Sequence, residues 1–249
     1  MRHVIAAILL ALAAGPTFAQ DQKTCAIPDY LLIADNELPR IATAIKQGRL
    51  NIAVVGTGST LITGQDGPKG AYPARLEASL SKRLPGIAVK VVSVAKSRET
   101  AGDMIKMFDD MVGEGKPDLV IWQTGTVDAI RGVQPDEFQS VLEQGIDQLH
   151  AKDADVILMN MQFSPRTESM IAVNPYADTM RAVAQQRGAL LFDRLGIMRH
   201  WSENGQFDLY AASKDNALAK RVHECIGRAL ASLVVSAAHL QSIETKNTQ

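Results

Sequence analysis

From Leu50 onward the chain alternates short, near-continuous apolar runs with amphipathic stretches, and this alternation constrains the fold more than any other feature of the sequence. The runs Asn51–Gly56, Ile87–Val94, Asp118–Trp122, Ala154–Met159 and Ala189–Phe192 read as five strands. Between and after them, Tyr72–Leu84, Glu99–Val112, Pro135–His150, Tyr176–Gln186 and Leu218–Ala238 read as helices; Leu76, Leu80 and Leu84 share one face of the first. Strands apolar on both faces must be covered on both faces, which requires parallel pairing through crossover helices. The predicted fold is therefore an α/β protein, a three-layer α/β/α sandwich around a five-stranded parallel sheet. Ligands of such sheets bind where the βα loops converge beyond the carboxyl ends of the strands.

The first nineteen residues stand apart from this pattern. Arg2 and His3 precede an apolar run from Val4 to Ala14, Gly15-Pro16 breaks it, and Thr17-Phe18-Ala19 offers small residues for a signal peptidase. The run is well short of the roughly 20 residues a membrane span needs. A signal peptide over 1–19 is expected, followed by a single domain over 20–249 with no membrane span and a periplasmic or secreted location. In an oxidising compartment the only two cysteines, Cys25 and Cys225, read as one disulfide, with two unrelated buried thiols as the alternative. Closing so long a loop would stabilise by roughly 4 to 5 kcal/mol in the chain-entropy description. A formal net charge of -1, without a Lys/Arg run, leaves no basic face for nucleic acid.

The loop after the first strand, Gly56-Thr57-Gly58-Ser59-Thr60-Leu61-Ile62-Thr63-Gly64, is the most informative segment. Leu61 stands where a dinucleotide fingerprint needs glycine, the Gly-Lys-Ser/Thr of a P-loop is absent, and Thr57 and Leu61 replace both glycines of a GxSxG elbow. What remains is a small Gly-Ser pair directly after an inner strand. It can present the Ser59 hydroxyl as nucleophile and the Ser59 N–H as an oxyanion donor.

Taken in order, NIAVVGTGST, AYPARLEASL, PDLVIWQTGTVDA and a histidine-bearing C-terminal helix resemble the SGNH/GDSL hydrolase superfamily, and more closely its exported proteobacterial members, over nearly the whole chain beyond the signal. The resemblance implies a flavodoxin-like sandwich of SGNH type and an ester hydrolase without cofactor or metal. Ser59 matches the nucleophile, with Gly58 in place of the usual Asp, and Gly64 matches a later glycine. Arg98 stands where an oxyanion Gly would be, and Val127 in Gly125-Thr126-Val127-Asp128 replaces the Asn of GxND. Losing one oxyanion donor costs about 2.7 to 4 kcal/mol of transition-state stabilisation. Arg98 and Gln123 are within sequence reach as substitutes.

The resemblance places the base in the C-terminal region, where His223 lies, but Lys220 occupies the position of the orienting Asp. Asp215 and Asp208 are the nearest replacements, and His200 is the other candidate base. An unoriented imidazole risks the wrong tautomer.

The remaining features read as structure. Trp122 reads as core, Met104, Met107 and Met111 as a helix face, Asp109-Asp110 as solvated surface, and Arg166 as either an anion contact or a loop ion pair. No His/Cys/Asp/Glu cluster has metal-ligand spacing. Two functions stay open: a serine ester hydrolase or O-deacetylase with catalytic Ser59, His223 and Asp215 and an oxyanion hole of Ser59 and Arg98, acting on a small acyl ester or acylated polysaccharide; or a non-catalytic carbohydrate or small-ligand binder on the same scaffold.

Overall fold

The computed structural model describes residues 25–211 and 215–238, apart from the side chains of 112–114; the expected signal peptide lies outside the described residues. The five strands are β1 (Arg49–Gly56), β2 (Ala88–Ala95), β3 (Leu119–Gln123), β4 (Asp155–Met159) and β5 (Leu190–Phe192). They form one sheet in the order β2-β1-β3-β4-β5, with every pair parallel. The longer helices are α1 (Pro39–Lys46), α2 (Tyr72–Arg83), α3 (Phe108–Gly115), α4 (Thr126–Arg131), α5 (Pro135–His150), α6 (Asn174–Gln186), α7 (Arg194–Glu203) and α8 (Ala217–Ala237). On one face α8 packs on α2, and α1 lies against β1 and β4; on the other, α5 packs against α3 and α6. The three-layer sandwich read from the apolar runs is the observed fold.

Full burial of β3 and β4 follows from cover on both faces, whereas β2, at the sheet edge, leaves Val92 exposed. Trp122 is core: its indole N–H points at Met104 Sδ, 3.1 Å away, and Phe108 meets its ring edge-on. The helix expected over Glu99–Val112 is broken here into Ala101–Met104, a 3-10 turn at Ile105–Met107 and α3, so that Met104 and Phe108 both reach the indole. Asp109 holds Gln148 and Lys152 on the surface.

Three helices, α1, α4 and α7, were not apparent from periodicity. Helix α1 has no side-chain cap of its own; Asp155, buried at the start of β4, accepts the N–H groups of Arg40 at 2.9 Å and Ile41 at 3.0 Å instead. Cys25 and Cys225 form a disulfide that fastens the start of the described chain to α8, with Cα atoms 5.3 Å apart.

Candidate active site at the switch of strand order

The sheet runs from β1 outward to β2 and then reverses to β3, so the loops after β1 and β3 flank the reversal, the place where open parallel sheets bind ligands. Both carry the residues singled out from sequence. After Gly56 the chain tightens into a 3-10 turn, Gly58–Thr60, with Thr60 folded back onto the strand end. A Cβ on Gly56 would lie 2.0 Å from Thr60 Oγ1, so only glycine permits this return. The turn leaves Ser59 half-buried at the rim.

Gln123, the last residue of β3, organises the floor. Its Oε1 accepts from the Thr57 N–H at 3.1 Å, the Thr60 hydroxyl at 3.0 Å and the Ser59 hydroxyl at 3.2 Å, while its buried Nε2 has no partner among the described residues. The sequence placed Gln123 within reach, and the structure sets it directly against Ser59. An amide oxygen, however, is too weakly basic to take the serine proton.

The second contact to Ser59 comes from a residue that no sequence motif marks. Arg194, the first residue of α7, is completely buried, and its Nη1 donates to Ser59 Oγ at 3.3 Å while Nη2 donates to the Ser59 carbonyl at 3.2 Å and to Gln162 Oε1 at 3.3 Å. Buried Asn160, just past β4, fixes it there by donating to Asp193 at 2.7 Å and accepting the Leu195 N–H at 2.9 Å. Asp193 also caps α7 through the Gly196 N–H and receives Arg181 at 2.7 Å, so the neighbouring carboxylate is engaged elsewhere. Burial pulls the Arg194 guanidinium down to about 10, partly opposed by the Tyr72 phenol. The phenol is itself pushed up to about 12 by burial; Arg194 and the hydrogen bond with Thr60 act against that rise. The one available sequence signal was position: Asp193-Arg194 directly follows the fifth strand.

The expected base has a backbone partner. His223, buried on α8, takes the Tyr72 backbone N–H on Nδ1 at 3.0 Å. Nδ1 is thus the acceptor, and the neutral ring carries its proton on Nε2, the nitrogen that would have to accept from a serine. Burial first, and Arg194 second, push its pKa down to about 3. Among the described residues no hydrogen bond joins His223 to Ser59 or to a carboxylate. Asp215 is exposed and holds the Ala217 N–H at 2.9 Å; Asp208 holds the Tyr210 and Ala211 N–H groups. The Lys220 stem lies beside Gly70. His200 is hydrogen-bonded to Asn204 at the exposed end of α7. Ser59, His223 and Asp215 thus hold separate partners among the described residues: Gln123 and Arg194, the Tyr72 N–H, and the Ala217 N–H.

The loop expected to carry the oxyanion side lies next to the serine turn. Exposed Arg98 has φ +69°, the left-handed conformation that glycine would adopt readily. Its loop approaches the serine turn, since a Cβ on Gly58 would lie 3.1 Å from Ser97 Oγ. Asp128 ties the Arg98 loop to the loop after β3, accepting the N–H groups of Ala101 at 2.9 Å and Gly125 at 3.2 Å. Val127 brings no donor, and Arg166 lies exposed beyond the fourth strand.

A family model, the non-GDSL lipase-like family, matches residues 24–240. The chain belongs to that family. Its membership agrees with the SGNH/GDSL resemblance carried by the sequence blocks. Among curated proteins, esterase TesA of Pseudomonas aeruginosa is 29% identical over 116 residues, 46% of this chain and 55% of that protein, so the chain spans about half the length of the curated relative it matches. Among solved structures, a crystal structure of TesA matches at a TM-score of 0.57 and 23% identity, covering 74% of this chain and 99% of that one. The lipase/acylhydrolase from Enterococcus faecalis matches at 0.60 and 17%, covering 75% and 96%. The acetylxylan esterase Axe2 from Geobacillus stearothermophilus matches at 0.58 and 19%, covering 74% and 94%. The fold is thus the α/β sandwich of the SGNH hydrolases. Among the described residues, no cluster of three His, Cys, Asp or Glu side chains could hold a metal, and no helix is long and apolar enough to cross a membrane.

Proposed function

We propose that this member of the non-GDSL lipase-like family is a serine acylhydrolase in which Ser59 attacks a small acyl ester and Arg194, rather than His223, promotes formation of the nucleophile. The observation that carries the reading is the bracketing of the half-buried Ser59 hydroxyl by Gln123 Oε1 at 3.2 Å and the Arg194 guanidinium at 3.3 Å. A buried cation beside a hydroxyl favours its alkoxide. The Ser59 proton passes to solvent hydroxide, the alkoxide adds to the ester carbonyl, the alcohol leaves with a proton from water, and water cleaves the acyl-serine to a free carboxylate. With no histidine to share the proton, the rate rises with pH until Arg194 itself titrates.

Several features support the reading: the esterase relatives, the position of Ser59 at the strand-order reversal, and the glycine-like backbone of Arg98. Axe2, by its name an acetylxylan esterase, makes an acetylated polysaccharide a reasonable substrate to test. Residues 1–19 and the Cys25–Cys225 disulfide support export to a periplasmic or extracellular location. The experiment is p-nitrophenyl acetate hydrolysis from pH 7 to 9.5 by wild type and Ser59→Ala: turnover that rises with pH and disappears in the variant agrees, and equal rates for both contradict.

One observation favours a second reading. The Nδ1 of His223 is committed to a backbone N–H, and Arg98, Val127 and Lys220 replace residues the superfamily uses. A non-catalytic binder of a carbohydrate or small ligand fits those facts, and equal rates in the assay above would select it.

A further inference from the structure

We infer that the Ser59 rim is a carboxylate-binding site, with Arg194 as the anion anchor. The inference shares its location with the proposed acylhydrolase site but does not require Ser59 to react. Arg194 is fully buried and, among the described residues, makes no salt bridge. Burying a cation without a counter-charge is strongly unfavourable, which is why buried charges are generally paired. Here its neighbours are neutral: Ser59 Oγ, the Ser59 carbonyl, Gln162 Oε1 and the face of Tyr72, whose centroid lies 5.7 Å from the guanidinium carbon. The nearest carboxylate in sequence, Asp193, is held by Asn160, the Gly196 N–H and Arg181.

Two further donors lack acceptors. Arg194 Nε and Gln123 Nε2 are both buried and unpartnered among the described residues. A guanidinium has five N–H donors in a fixed fork, and the contacts above engage three of them. Ser59 Oγ and Gln162 Oε1 belong to half-buried side chains at the rim, so an incoming anion can take their places on Nη1 and Nη2 while the Ser59 backbone carbonyl keeps its contact. A carboxylate would exchange neutral hydrogen bonds for charge-assisted ones of roughly twice the strength, in the bidentate geometry that arginine favours. It would also supply the missing counter-charge.

Such a carboxylate can be the free acid left by ester cleavage or an acid group on the ligand itself. Isothermal titration of the disulfide-bonded protein at fixed ionic strength, with sodium acetate, monomethyl succinate, methyl acetate and sodium chloride, separates these sources. Saturable binding of the first two, at least about tenfold tighter than methyl acetate or chloride, is expected. Acetate binding as tightly as monomethyl succinate identifies the free acid; a tighter half-ester identifies an acid group carried by the ligand.

Arg194→Gln should weaken binding by at least about tenfold, whereas Ser59→Ala should retain it. Retention in Ser59→Ala keeps this inference separate from the nucleophile reading, because that variant abolishes turnover alone. Should Arg194→Gln fail to fold, the Arg194 Nε–H resonance of the wild-type protein, followed during acetate titration, gives the same answer by shifting saturably. No saturable carboxylate binding, an unmoved Nε–H resonance, or equal affinity in a folded Arg194→Gln protein would overturn the assignment.

Discussion

His223 Nδ1 and the Tyr72 backbone N–H are joined by a 3.0 Å hydrogen bond, so the buried imidazole fastens α8 to the first turn of α2. That bond gives the ring a structural task and fixes the tautomer opposite to the one a serine base needs. It also has a consequence for stability. The folded pKa lies near 3, below the ordinary value of 6.5, so between these values the unfolded chain binds more protons. The contribution of His223 to stability is fully present above pH 6.5 and is lost as pH falls toward 3. His223→Gln keeps an acceptor for Tyr72 but removes the titration. Urea unfolding from pH 7 to 4 should therefore show a stability difference between wild type and variant that shrinks or reverses on acidification. A difference constant with pH would contradict the assignment.

Asp155 behaves oppositely. Burial lifts its carboxyl to about 6 from 3.8, so the native state holds the proton more tightly and its contribution declines as pH rises through about 6. Asp155→Asn keeps an oxygen for the Arg40 and Ile41 N–H groups. The variant should lose that decline and be at least as stable as wild type at pH 7 in the same urea series; an unchanged decline would count against the burial argument.

Gly145 lies inside α5, where alanine would ordinarily stabilise by roughly 0.5–1 kcal/mol. A Cβ there would sit 2.5 Å from Trp122 Cζ3, a ring held by the core. Overpacking should win, and Gly145→Ala should destabilise by about 1–3 kcal/mol, measured by chemical denaturation. A stabilised variant would show that the indole yields.

The Cys25–Cys225 disulfide spans a sequence separation of 200. Chain entropy assigns it roughly 4 to 5 kcal/mol. Thermal melts with and without reductant should show a fall of several degrees for the reduced protein, and the Cys25→Ser/Cys225→Ser pair should melt with the reduced form. Coincident oxidised and reduced melts would mean that the bond constrains little.

Much of the fold was legible because β3 and β4 are buried on both faces and their apolar runs are nearly continuous, a pattern that permits few sheets. Helices α4 and α7 were hidden for local reasons: α4 has only six residues, too few to show a period, and α7 opens on Asp193-Arg194, residues that read as loop. In the site, Ser59 and Gln123 could be found because each directly ends or follows a strand. Arg194 could not, because burial of a guanidinium depends on Asn160 and Gln162, which are far from Ser59 in sequence. The orientation of His223 was equally hidden, since a backbone N–H leaves no residue-type signal.

Reaction of Ser59 without His223 can be read by mass spectrometry of wild type, Ser59→Ala and His223→Gln after exposure to a fluorophosphonate at pH 7 and 9. A single adduct on Ser59 is expected in wild type and in His223→Gln, forming faster at pH 9, and none in Ser59→Ala. Absence of the adduct from wild type at both pH values, or its loss in a folded His223→Gln protein, would contradict it.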